Sequence, residues 1–141
     1  MPQLEYFVVC RDVLANMQTD EITLSHVLED VFPEAYPHLI AKATAVSVWN
    51  INADDAKLDY QATLVVKVPG NADVQFPMNL AKRRSRYRAM QSILDIPIDK
   101  PGDIIFEVLL NGVHQASHTV RMHPVDDGTM KSGVSAPPPK A

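Results

Sequence analysis

The stretch Leu58-Asp59-Tyr60-Gln61-Ala62-Thr63-Leu64-Val65-Val66-Lys67-Val68 decides the fold. Leu58, Tyr60, Ala62, Leu64, Val66 and Val68 recur at every second position, with Asp59, Gln61, Thr63 and Lys67 between them. A period of two places alternate side chains on opposite faces of a strand, so the segment reads as a half-buried β-strand. Val74, Phe76, Met78 and Leu80 repeat the pattern around Gln75 and Asn79. Pro69, Gly70 and Asn71 between the two runs are turn residues, and the two runs are expected to form a hairpin. Pro77 lacks a backbone donor, which puts its strand at a sheet edge or interrupts it there.

Working toward the N-terminus, residues 38–52, with the only tryptophan at Trp49, read as a long strand. Residues 22–32 fit two periods: Ile22, Leu24, His26 and Leu28 alternate, while Leu24, Val27, Leu28 and Val31 also form a helical stripe. A strand is favoured, because the flanking segments are strands of similar length. At the start of the chain Leu4, Tyr6, Val8 and Cys10 are expected to share one face, which makes Cys10 a small core residue rather than a nucleophile.

Toward the C-terminus, Ile104, Phe106, Val108 and Leu110 form one apolar face, and His114, Ala116, His118, Val120 and Met122 form the more apolar face beyond Asn111-Gly112. Both faces are even-numbered. A two-residue loop at Asn111-Gly112 pairs even with odd and mixes core with solvent. The expectation is therefore a three-residue connection, with Gly112 in the left-handed region as a bulge that restores even-to-even pairing. With residues 90–98 counted, the chain offers about eight strands. The economical architecture is a single all-β domain, an antiparallel β-sandwich of immunoglobulin-like or related Greek-key topology.

Composition agrees with one globular domain. The chain has 141 residues, 46% hydrophobic and 21% charged, with a formal net charge of −4. No apolar run approaches the roughly 20 residues that span a bilayer as a helix, so no membrane association is expected. Cys10 is the only cysteine, and the first twenty residues lack the pattern of a secretory signal, so the default compartment is the cytoplasm. Residues 1–124 are assigned to the sandwich. Residues 125–141, with Pro137, Pro138 and Pro139 and no aromatic side chain, are expected to form a flexible tail.

The segment Tyr6-Phe7-Val8-Val9-Cys10-Arg11-Asp12-Val13, followed by Ile22-Thr23-Leu24-Ser25-His26-Val27-Leu28-Glu29, resembles the opening of an uncharacterised family of short bacterial proteins of unknown function. Residues 101–112, from Pro101-Gly102-Asp103 to Asn111-Gly112, are similar to the closing hairpin of the same family. The resemblance implies a bacterial immunoglobulin-like sandwich. It implies no activity and supplies no catalytic residue.

The most conspicuous charged feature is Lys82-Arg83-Arg84-Ser85-Arg86-Tyr87-Arg88, which holds five of the thirteen basic residues. If the alternation of Val74 to Leu80 continued, Lys82, Arg84, Arg86 and Arg88 would lie in the core-facing row, which unpaired charge forbids. The strand is therefore expected to end near Ala81. The segment then becomes an exposed loop whose guanidinium groups suit phosphate or carboxylate, with Tyr87 available to stack on a base. The simpler reading is a solvated loop that balances the acidic remainder of the chain.

Other chemistry is poorly specified. His114 and His118 would share a strand face about 13 Å apart, too far to chelate one ion, and His26, His38 and His123 have no neighbour in sequence that completes a site. Asp54, Asp55 and Asp59, and likewise Asp95, Asp99 and Asp103, read as turn-forming and solvating residues. There is no Gly-x-Ser-x-Gly turn and no glycine-rich phosphate loop. No catalytic residue, metal or cofactor is expected. The leading expectation is a non-enzymatic protein-binding or assembly module that contacts an unknown protein partner or a second copy. The alternative is an anion or single-stranded nucleic-acid binder using Lys82, Arg83, Arg84, Arg86, Tyr87 and Arg88.

Overall fold

A computed structural model of the chain describes residues 1–55, 59–78, 80–82 and 86–125. Of Ala81 and Lys82 it describes the backbone alone, and the expected tail from residue 126 onward lies outside the described residues. The strands are β1 (Gln3–Ala15), β2 (Ile22–Val27), β3 (Asp30–Val31), β4 (His38–Asn50), β5 (Ala62–Lys67), β6 (Val74–Met78), β7 (Ala81–Lys82), β8 (Arg86–Ile98), β9 (Gly102–Leu110) and β10 (Val113–Met122). Eight of them have five residues or more, and residues 22–32 hold the strands β2 and β3 and no helix. No helix among the described residues is long and apolar enough to cross a membrane.

Two sheets pack face to face, in the orders β2-β1-β4-β8-β7 and β3-β10-β9-β5-β6. Every pairing is antiparallel except that of β3 with β10. The fold is thus the expected all-β sandwich. Its connectivity follows the immunoglobulin order, with β1, β4, β8 and β7 in the places of strands A, B, E and D, and β5, β9 and β10 in those of C, F and G. The core between the sheets is built from Trp49, Tyr87, Phe106, Leu64, Ile98, Ile104, Leu110 and Met122, all essentially inaccessible. The buried indole Nε1 donates to Ser47 Oγ at 2.9 Å, so the one polar atom of Trp49 has a partner inside the core.

The hairpin of β5 and β6 forms as expected, with Leu64 opposite Phe76, and Pro77 lies in β6 at the end of its sheet, where no further strand needs its missing donor. The β9–β10 hairpin departs in detail. Asn111 and Gly112 both have positive φ, 48° and 81°, and Val113 pairs with Leu110, so the connection is a two-residue type I′ loop rather than three residues. The required register shift does occur, but at Gln115, between His114 and Ala116. Beyond it Ala116, His118 and Val120 stand opposite Val108, Phe106 and Ile104, which restores the even-to-even pairing. The loop keeps its favoured geometry because a bulge can be absorbed one turn of pleat further along.

A second correction concerns β1. The register shifts between Leu4 and Tyr6, so Glu5 is an extra residue and the alternation changes phase there. Leu4, Phe7 and Val9 join the core between the sheets, whereas Tyr6, Val8 and Cys10 lie on the outer face. Cys10 is nonetheless fully buried, beside Val46 and Val48 and under Val13, Ile22 and Leu24 of the β1–β2 hairpin. That hairpin bends over the outer face of the first sheet. Its tip residue Asp20 crosses β4 and reaches Arg88 of β8. Burial holds the Cys10 thiol above its ordinary value of 9.0, which disfavours the nucleophilic thiolate.

Candidate functional site

The basic segment is the first site to place. Between Met78 and Ala81 the chain leaves the second sheet and joins the first, where β7 pairs with the start of β8. Changing sheets resets the face assignment, so the alternation of β6 imposes nothing on the arginines. The expected exposed loop is therefore wrong for Arg86, Tyr87 and Arg88, which begin the long strand β8. Tyr87 stands opposite Trp49 and is only 1% exposed, so it is core and unavailable to stack on a base. Its hydroxyl donates to the Asp55 carbonyl at 3.5 Å.

Arg86 and Arg88 flank Tyr87 in sequence and so point to the opposite, outer face. Arg86 pairs with Glu5 at 3.3 Å, and Arg88 reaches the Asp20 carboxylate at 3.5 Å and the Asp20 carbonyl at 3.1 Å. Both guanidinium groups thus have protein partners. Arg83 and Arg84 lie outside the described residues, as does the side chain of Lys82. The signal that could have found this was the pattern Arg86-Tyr87-Arg88-Ala89-Met90 itself, which alternates outward and inward.

The histidines and acids disperse. The bulge at Gln115 puts His114 opposite Leu109 on the outer face and His118 opposite Phe106 on the inner face, so the two do not share a face as expected. His118 Nε2 bonds the Leu28 carbonyl, and His123 Nε2 lies 2.8 Å from Asp30 Oδ1. Among the described residues no group of three His, Cys, Asp or Glu side chains could hold a metal ion. Asp55 is more than a solvating turn residue. Its carboxylate is buried and takes the Met1 amino group, the Asn52 backbone N–H at 3.0 Å and the Tyr60 hydroxyl at 3.3 Å. The hydrogen bond from the amino group, followed by that from Asn52, holds its carboxyl below the ordinary 3.8.

A different feature was not read from the sequence. β4 pairs with β8 along its whole length, from Asn50 opposite Arg86 to His38 opposite Ile98. On the other side β7 pairs only with Tyr87 and Arg88. Among the described residues, then, β8 beyond Arg88 is an open sheet edge. Gln91 Nε2 donates to the Ser92 carbonyl at 2.9 Å, which shows that this main-chain acceptor points toward the vacant side. By strand alternation the main-chain groups of Met90 and Leu94 point the same way.

Residues 89–94 read Ala-Met-Gln-Ser-Ile-Leu, with no charge. Met90 and Leu94 stand on the outer face, 44% and 66% exposed. On the inner side of this edge a cleft of about 230 Å³ separates β8 from β6, lined by Val66, Val68, Val74, Phe76, Ile93 and Ile96. The regular run of this edge is bounded by Asp95, whose φ is +55°, and by Pro97, although the strand continues to Ile98. At that point the inward row passes from the odd residues Tyr87 and Ala89 to the even residues Ile96 and Ile98. An open, uncharged edge of this kind can take an additional strand through main-chain hydrogen bonds.

No protein-family model, no curated protein and no solved structure matches the chain.

Proposed function

We propose that this protein is a non-enzymatic binding or assembly module that engages another polypeptide by strand addition along β8. The observation that carries the reading is the contrast within one strand: of the thirteen residues in β8, only Tyr87 and Arg88 pair, among the described residues, with a strand on the side away from β4. Main-chain hydrogen bonds along residues 89–94 would supply affinity, and the exposed Met90 and Leu94 would contribute side-chain pairing. The alternative, anion or nucleic-acid binding through the basic segment, is less favoured because Tyr87 is core and Arg86 and Arg88 are engaged by Glu5 and Asp20.

The test is site-specific photocrosslinking in the native host. A photoreactive residue at Leu94 is expected to give discrete cross-linked species, whereas one at Val113, exposed at the tip of the β9–β10 hairpin, gives none. Equal labelling from both positions, or none from Leu94, refutes the reading.

A further inference from the structure

We propose that the strand added to β8 is β8 of a second copy, in antiparallel register about Ser92, so that two molecules merge their first sheets across a two-fold axis. The inference rests on the strand-addition reading and names its occupant.

Three observations point to self-pairing. First, the main-chain parity fits. The Ser92 carbonyl faces the free edge, so antiparallel pairing of Ser92 with Ser92 of the second copy forms a hydrogen-bonded pair, and Met90 with Leu94 forms the next on either side. Second, the side chains are self-complementary in that register. Met90 and Leu94 are the two exposed apolar residues of this edge and lie on one face, and the two-fold brings each against the other's counterpart, twice. Third, no like charges meet. Ala89 falls opposite Asp95 and Gln91 opposite Ile93, while Arg88, whose edge is held by Ala81 of β7, lies outside the shared ladder.

The edge also lacks the devices by which sheet edges are blunted. Proline occupies the edge strand β6 at Pro77, but on β8 proline and the positive-φ residue Asp95 come only after Leu94. A five-residue ladder, residues 90–94, is small beside a standard interface, and each copy carries a formal −4. The dimer is accordingly weak and reversible, and it tightens with added salt as the repulsion is screened. That sign is opposite to the salt dependence of nucleic-acid binding.

Sedimentation velocity of the full chain from micromolar to millimolar concentration tests this. The expected result is a monomer–dimer equilibrium that strengthens with salt. The double variant Met90→Lys with Leu94→Lys sets like charges opposite one another and should weaken association at least about tenfold. Met90→Lys with Leu94→Glu sets opposite charges together in the two-fold register and should recover dimerisation to near the wild-type level. Both positions are exposed, so an unchanged circular dichroism spectrum is expected and keeps the comparison fair. A wild-type chain that stays monomeric, or a dimer indifferent to the two double variants, overturns the self-pairing. If such a monomer still yields discrete cross-links from position 94, strand addition to another protein survives; if it yields none, both readings fall.

Discussion

The two edges of the first sheet are finished in opposite ways. On the β2 side the hairpin of β1 and β2 folds across the outer face, buries Cys10, Val46 and Val48 beneath Val13, Ile22 and Leu24, and is latched to β8 by Asp20 and Arg88. On the β8 side no described strand pairs with β8 beyond Arg88, and Met90 and Leu94 remain exposed. The contrast is sharpest at one cross-strand pair. Val46 and Met90 are direct neighbours on the same face, yet Val46 is fully buried and Met90 is 44% exposed. An apolar residue on a sheet face gains stability from what covers it, and at the level of this pair the hairpin covers Val46 but leaves Met90 exposed.

The largest effect should come from breaking that pair in turn. Val46→Ala removes two buried methyl groups and leaves a space under the hairpin, and is expected to lower stability by roughly 2–3 kcal/mol. Met90→Ala, one strand away, should change it by no more than about 0.5 kcal/mol. Urea denaturation of the two variants decides this, and equal losses would mean that the hairpin does not set the boundary.

A smaller effect is expected at the latch. Arg88→Ala removes both contacts to Asp20 and should cost about 0.5–1 kcal/mol, since the carboxylate is half exposed. Hydrogen exchange should then quicken around residues 16–21 and stay unchanged in the β9–β10 hairpin. Uniform quickening would show that the latch is not local.

The smallest effect at neutral pH, and the one confined to acid, concerns the end of β8 that β7 does cover, where Tyr87 bonds the Asp55 carbonyl. The Asp55 carboxyl is held below 3.8 in the folded protein, so its contribution is fully present above that value and is lost as the pH falls through the lower folded-state value. The stability curves of wild type and Asp55→Asn should therefore converge as the pH drops below 3.8. Curves that remain parallel would remove Asp55 from the account.

Much of the fold was legible because burial on one face of a strand writes itself as period two. The β5–β6 hairpin, the long strand that holds Trp49, the edge position of Pro77 and the even-to-even pairing of β9 with β10 all follow from alternation and from the missing donor of proline. The misreadings share one cause: a bulge or a change of sheet shifts the phase and leaves no mark in composition. Glu5 displaced Tyr6, Val8 and Cys10 to the outer face, Gln115 separated His114 from His118, and the crossing after Met78 made Arg86, Tyr87 and Arg88 of the expected basic loop the start of β8, with Tyr87 inside.

What the sequence by itself determined is the class of the molecule: an all-β sandwich, with an uncharged run at residues 89–94. Only the tertiary structure decided that this run borders a vacant edge while the equally apolar Val46 and Val48 are covered. The physical reason is that alternation records which side of a strand is apolar, a local property of the chain. Which strand lies alongside, and which hairpin folds over, depends on pairings between segments dozens of residues apart.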